Sequence, residues 1–89
     1  MRFSEYESAE TALAVAGLID WVWVDLFTPR PPDAAALARL KAAGLRLCLV
    51  SPELQGRADP AETAALRAHL TAHAIALDAV CTKDASAWR

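Results

Sequence analysis

The chain has 89 residues, with 9 basic and 11 acidic side chains and a formal charge of −2. One domain spanning residues 1–89 fits that length, and the acidic balance excludes a nucleic-acid binder that works through a broad basic surface. A hydrophobic fraction of 55% excludes a disordered tail, although 21 of the residues are Ala and bury little area each.

No apolar run approaches the ~20 residues that span a bilayer, so no transmembrane segment is expected. The stretch Met1-Arg2-Phe3-Ser4-Glu5 has no apolar signal core. Cys48 and Cys81 lie far apart, each inside an apolar run, which reads as two reduced, buried thiols in a cytoplasmic protein rather than a disulfide framework.

The first candidate strand is Met1 to Tyr6, short and weakly patterned. Ser8 then opens a helix, with Glu10 placed to favour the positive end of its dipole. Leu13 shares a face with Ala16 or Gly17, and Gly17 is a plausible stop. The second strand is Ile19 to Phe27, where every residue except two Asp is aromatic, β-branched or Leu. A run of that kind is expected to be covered on both faces, as in parallel sheets.

Thr28-Pro29-Arg30-Pro31-Pro32 is a stiff loop, because three prolines forbid regular structure. Asp33 caps a helix through Ala43, with Leu37 and Leu40 on one face and Gly44 after it. The third strand is Leu45 to Val50, and residues Ser51 to Ala58 form a loop. Asp59-Pro60-Ala61-Glu62 is the clearest helix start, combining a cap, a proline at the first helical position and a capping-box acid. That helix carries Leu66, Leu70 and Ala74 inward and ends near Ile75. The last strand is Asp78 to Thr82, followed by Lys83, Asp84 and a polar tail with Trp88.

The pattern is therefore α/β, in the order β-α-β-α-β-α-β, with four parallel strands and right-handed crossovers. Two arrangements suit it: half of a TIM barrel, which in full has eight strands, or a small open doubly wound sheet. Half a barrel leaves an unpaired edge on each side and one apolar face open. It would pair with a second copy of itself, as a homo-oligomer, or with a complementary N-terminal half.

In either arrangement ligands bind beyond the carboxyl ends of the strands. The polar residues there are Glu5 and Glu7, Asp25, Ser51 and Glu53, and Thr82, Lys83 and Asp84. Strands also end in polar loops without any function, so position alone does not decide. Trp21, Trp23 and Asp25 share a face by their spacing of two, as core, as dimer surface or as a carboxylate above two indoles. Gln55-Gly56-Arg57 follows the third strand, where Gly56 lets the backbone approach an anion and Arg57 can bind one bidentately. A phosphate-containing small molecule is the ligand class this implies.

Asp25, Ser51 and Lys83 end three successive strands. A carboxylate, a hydroxyl and an ammonium so placed suit phosphoryl transfer through an aspartyl phosphate, with Asp25 as nucleophile, Ser51 on a phosphoryl oxygen and Lys83 neutralising charge. The run Leu40 to Ser51 resembles the second motif of haloacid-dehalogenase-type phosphatases. Such enzymes carry a second Asp two residues after the first, where this chain has Phe27, and no further carboxylates are placed for a Mg²⁺ site. A receiver-like domain using the same three residues is the related reading. His69 and His73 share a helix face, but Leu70 replaces the Glu of a zinc-protease pattern, so no metal-ligand set is assigned.

Four blocks carry a wider resemblance: Arg2-Phe3-Ser4-Glu5-Tyr6-Glu7, Ile19 to Phe27, Leu47 to Arg57 with Ser51-Pro52-Glu53-Leu54-Gln55-Gly56-Arg57 at its end, and Ala79-Val80-Cys81-Thr82-Lys83. Their order resembles the C-terminal half of bacterial proteins of the glycerophosphodiester phosphodiesterase and phosphatidylinositol phospholipase C-like superfamily, in an uncharacterised branch. The resemblance implies strands five to eight of a TIM barrel that hydrolyses phosphodiesters, often with a divalent metal such as Mg²⁺ or Ca²⁺. It places Glu5, Asp25, Glu53, Arg57 and Lys83 at the barrel mouth. The family's His-Arg pair, metal-binding acids and second His belong to the N-terminal half and have no counterpart here. The expectation is a phosphodiesterase-like barrel segment without activity of its own; a non-enzymatic dimerising module is the remaining alternative.

Overall fold

A computed structural model describes residues 1–28 and 30–88. It contains the strands β1 (Arg2–Phe3), β2 (Trp21–Asp25), β3 (Arg46–Val50) and β4 (Ala79–Cys81), alternating with the helices α1 (Ala9–Ala14), α2 (Ala34–Ala42) and α3 (Pro60–Ala72). The strands form one sheet in the order β1-β2-β3-β4, and every neighbouring pair is parallel. A doubly wound sheet places helices on both faces by reversing its strand order once; here the order does not reverse. Among the described residues no helix is long and apolar enough to cross a membrane.

Each helix begins where a side chain can satisfy free backbone N–H groups. Ser8 accepts from the Glu10 amide, Asp33 from the Ala35 and Ala36 amides, and Asp59 from the Ala61 amide. Such a cap is worth roughly 1 kcal/mol. Pro60 sits at the start of α3, where a missing N–H leaves nothing unpaired. Helix α3 ends earlier than its apolar spacing predicts: Ala72 is its last residue, and Ala74 takes φ of 55° instead of pointing inward. Helix α1 is likewise shorter, ending at Ala14 before a 3-10 turn over Ala16–Leu18. The loop expected over Ser51 to Ala58 holds a 3-10 turn, Pro52–Gln55. Of the proline loop, Pro29 lies outside the described residues.

The core lies on one side of the sheet. Val22 and Val24 of β2 and their register partners Leu47 and Leu49 of β3 are fully buried. They pack with Phe3, Leu26, Leu37, Leu40, Leu66 and Leu70. Each such side chain contributes about 1.5–3 kcal/mol on leaving water. The other side contradicts the expectation of a strand covered on both faces. Trp21 and Trp23, which alternate with the two valines, remain 37% and 47% exposed. Sequential right-handed crossovers put every helix on the same side of a parallel sheet, so among the described residues no helix covers the tryptophans, and the Arg46 guanidinium lies over the Trp21 ring at 5.6 Å from its centroid.

Candidate functional site

The carboxyl ends of the strands are divided by the sheet itself. Side chains alternate between faces along a strand, and Asp25 follows the exposed set of Trp21 and Trp23. Ser51 continues the buried set of Leu47 and Leu49, because the backbone stays extended at Ser51 (φ −64°, ψ 145°). Asp25 and Ser51 therefore lie on opposite sides.

On the open side, Asp25 Oδ1 accepts a hydrogen bond from Gln55 Nε2, and its Oδ2 lies 3.8 Å from Arg2 Nη1. Arg2 is held mainly by Glu7, whose Oε1 accepts from Nε at 3.0 Å and Nη2 at 2.5 Å. The Arg2 guanidinium lies over the ring of Phe27, and Phe27 packs against Tyr6 at 5.6 Å between ring centroids. The Ser4 hydroxyl and Arg2 together hold the Glu7 carboxyl below the usual carboxylate range.

On the helix side, Ser51 is fully buried. Its hydroxyl donates to Glu53 Oε1 at 2.6 Å and accepts from Trp88 Nε1 at 3.0 Å. The same Glu53 oxygen accepts from Thr82 Oγ1 at 2.9 Å. Ser51, Glu53, Thr82 and Trp88 thus form a polar knot that ties the last turn of the chain to β3. Among the described residues the second oxygen of Glu53 is buried without a hydrogen-bond partner. Beside it a cavity of about 410 Å³ opens between the start of α3 and the C-terminal turn, lined by Glu53, Asp59, Thr63, Arg67 and Asp84 among others.

The proposed phosphate loop is occupied by its own structure. Gly56 takes φ of 81°, a left-handed conformation that favours glycine, and its N–H donates to the Glu53 carbonyl at 3.2 Å. The Arg57 N–H donates to the Pro52 carbonyl at 3.1 Å. These amides close the 3-10 turn and do not face outward as an anion cradle. The Arg57 guanidinium pairs through Nε with both oxygens of Glu62 and donates through Nη2 to the Leu26 carbonyl at 2.8 Å. It ties the loop after β2 to the first turn of α3.

Glu5 is also committed. Its Oε1 accepts from the Phe27 amide at 3.0 Å, and its Oε2 from the amide and hydroxyl of Thr28 at 2.8 and 2.6 Å. Burial pushes this carboxyl up, but the Thr28 and Phe27 hydrogen bonds outweigh it and the net direction is down. Lys83 is exposed in the turn after β4, with no hydrogen bond or ion pair among the described residues. Asp25, Ser51 and Lys83 are not brought together around one point.

A divalent cation does not fit these residues. Among the described residues no group of three or more His, Cys, Asp or Glu could hold a metal ion, and Glu5 already uses both oxygens on backbone and hydroxyl donors. The His69 and His73 rings are tilted at 53° to each other with centroids 4.6 Å apart, while His69 Nε2 lies 2.8 Å from the Pro32 carbonyl.

Comparison with family models, with curated proteins and with solved structures gives no match. Three contacts of the site carry little trace in the sequence. The Trp88–Ser51 bond spans 37 residues, the Thr82–Glu53 bond 29 and the Gln55–Asp25 bond 30. Only the strand register makes them neighbours.

Proposed function

We propose that the chain is a four-stranded barrel segment of the phosphodiesterase-like type, with no catalysis of its own, that works as one half of a larger assembly. The observation that carries this reading is the uncovered sheet face beneath an unreversed strand order. A full barrel buries that face as its interior. The mouth residues support the same reading, since Glu5, Arg57 and Glu53 fasten loops, and among the described residues they leave no general acid and base facing each other across a cleft. A phosphodiester substrate would meet the segment at Asp25, Arg2 and Lys83, the polar groups at the open end of the sheet.

The test is hydrolysis of a glycerophosphodiester and of an activated aryl phosphodiester by the purified chain, with Mg²⁺ or Ca²⁺ added. No turnover above that of Asp25→Asn is expected. Turnover that disappears in Asp25→Asn overturns the reading. A phosphoaspartyl mechanism fits less well, because it needs Asp25 and Ser51 on one phosphoryl group and Ser51 Oγ is bonded to Glu53 and Trp88 behind the sheet.

A further inference from the structure

Cys48 and Cys81 are distant in the sequence and neighbours on the sheet. The register pairs Trp23 with Cys48, Cys48 with Ala79, and Val50 with Cys81. Side chains alternate between faces along a strand. Leu47, Leu49 and Val80 pack in the core, so Cys48 and Cys81 both project from the uncovered face, on adjacent strands and two residues out of step. Both are free cysteines. Burial, and then the charge of Cys81, raise the Cys48 thiol, while the Cys81 backbone lowers it. Cys81 is thus within electrostatic reach of the Cys48 sulfur.

The offset decides what the pair can do. Strands about 4.8 Å apart and a two-residue step of about 6.6 Å set the two Cα atoms roughly 8 Å apart on the diagonal. A disulfide spans no more than about 7 Å between Cα atoms, so the two sulfurs are not placed to bond each other. Side chains of a strand lean along it in either direction. With Cys48 leaning forward and Cys81 back, the sulfurs approach to roughly 5–6 Å, near the length of two metal–sulfur bonds of about 2.3 Å laid end to end. The three-residue strand β4 lies at the edge of the sheet and can shift by the remainder.

We propose that Cys48 and Cys81 together hold one soft monovalent cation, Cu(I), between two thiolates. Thiolate ligands select Cu(I) over harder ions, and a closed-shell monovalent ion is satisfied by two ligands in line. Zn²⁺ calls for four, and among the described residues no group of three or more His, Cys, Asp or Glu could hold a metal ion. On binding, each thiol gives its proton to solvent, two sulfur–copper bonds form, and no electron is transferred. The product carries one negative charge. Arg46, two residues before Cys48 on the same face, and Arg2, beyond Trp23 in the row of Cys48, offset it; Asp25, beyond Val50 in the row of Cys81, opposes it. Trp23 flanks Cys48 in the register and Cys48 is only 8% exposed, so the inner thiolate is sheltered from water. The inference does not depend on the phosphodiesterase-like reading.

Anaerobic titration of the reduced 89-residue chain with Cu(I), in competition with the coloured chelator bicinchoninate, tests it. One equivalent per chain should leave the chelator, with a sulfur-to-copper charge-transfer band in the near ultraviolet and the mass staying at 9.5 kDa. Cys81→Ser, at an exposed position, should weaken retention by at least about a hundredfold, because one thiolate cannot fill both places on the ion. Cys48→Ala should do the same, with far-UV circular dichroism checking its fold; if that variant is unfolded, Cys81→Ser decides alone. His73→Ala should leave binding unchanged. With Cu(I) bound, both thiols should resist alkylation by iodoacetamide. No transfer from the chelator, transfer that persists in Cys81→Ser, half an equivalent bound by two chains of doubled mass, or protection of one thiol only would each overturn the site.

Discussion

Asp25 and Ser51 end adjacent parallel strands, yet Asp25 bonds Gln55 on the open face while Ser51 bonds Trp88 among the helices. The register pairs Asp25 with Val50 and so sends Ser51 to the other side. One residue of offset in a pleated strand therefore turns an apparent catalytic trio into two unrelated structural groups.

The core side of the sheet should dominate stability. Leu47→Ala removes a fully buried side chain and is expected to cost about 2–5 kcal/mol. Urea unfolding followed by circular dichroism measures this. Domains are marginally stable, at about 5–15 kcal/mol in total, so the variant should lose a large share of the stability and unfold at a clearly lower urea concentration.

Gly56 offers a cleaner measurement. A Cβ there would meet nothing within 4 Å, but φ is +81°. Gly56→Ala should cost roughly 1–2 kcal/mol through backbone strain alone. A loss below the error of the unfolding experiment would mean that the turn relaxes to another conformation.

Arg57 should behave as a structural tie. Arg57→Ala leaves Glu62 and the Leu26 carbonyl without their partner, for about 1–2 kcal/mol. Arg57→Lys should recover little, since an ammonium cannot reproduce a guanidinium that bridges two groups. Titration with inorganic phosphate, followed by amide chemical shifts, should leave the Gly56 and Arg57 signals in place. Saturable shifts there would restore the phosphate-loop assignment.

Glu5 gives the fold an acid-side pH dependence. Its carboxyl is lowered in the folded chain, burial notwithstanding, by bonds from Thr28 and Phe27. A lowered carboxyl contributes stability that is present above its unfolded value and lost as the pH falls through the folded one. Asp78 acts in the same direction, held down by Lys41 and by the Leu47 amide. The unfolding midpoint should hold steady at neutral pH and drop on acidification past the ordinary carboxylate range. Glu5→Gln should flatten that drop and cost about 1 kcal/mol or less at pH 7, because the site is largely open to solvent.

The two thiols should differ in reactivity. Cys48 is 8% exposed and Cys81 is open to solvent; burial, and then the neighbouring Cys81, raise the Cys48 thiol above its ordinary value. Titration with an aromatic disulfide at mild alkaline pH should show one fast and one slow thiol, the fast phase vanishing in Cys81→Ser. Equal rates would mean that the sheet face opens readily.

The sequence by itself determined the order of elements, because that order rests on local rules. Ser8, Asp33 and Asp59 each cap the helix that follows, and Val22, Val24, Leu47 and Leu49 form the apolar period of two that buries one face. Helix ends were less legible: Ala74 continues an apolar stripe, but the chain turns left-handed there. What only the tertiary structure decided is the sharing of polar groups at the strand ends. Arg57 with Leu26, Glu5 with Thr28 and Ser51 with Trp88 are joined across 31, 23 and 37 residues. Such contacts depend on strand register and on which face carries the helices, and neither is encoded in any one segment. The same topology leaves Trp21 and Trp23 in solvent, since right-handed crossovers in sequential order can cover only one side.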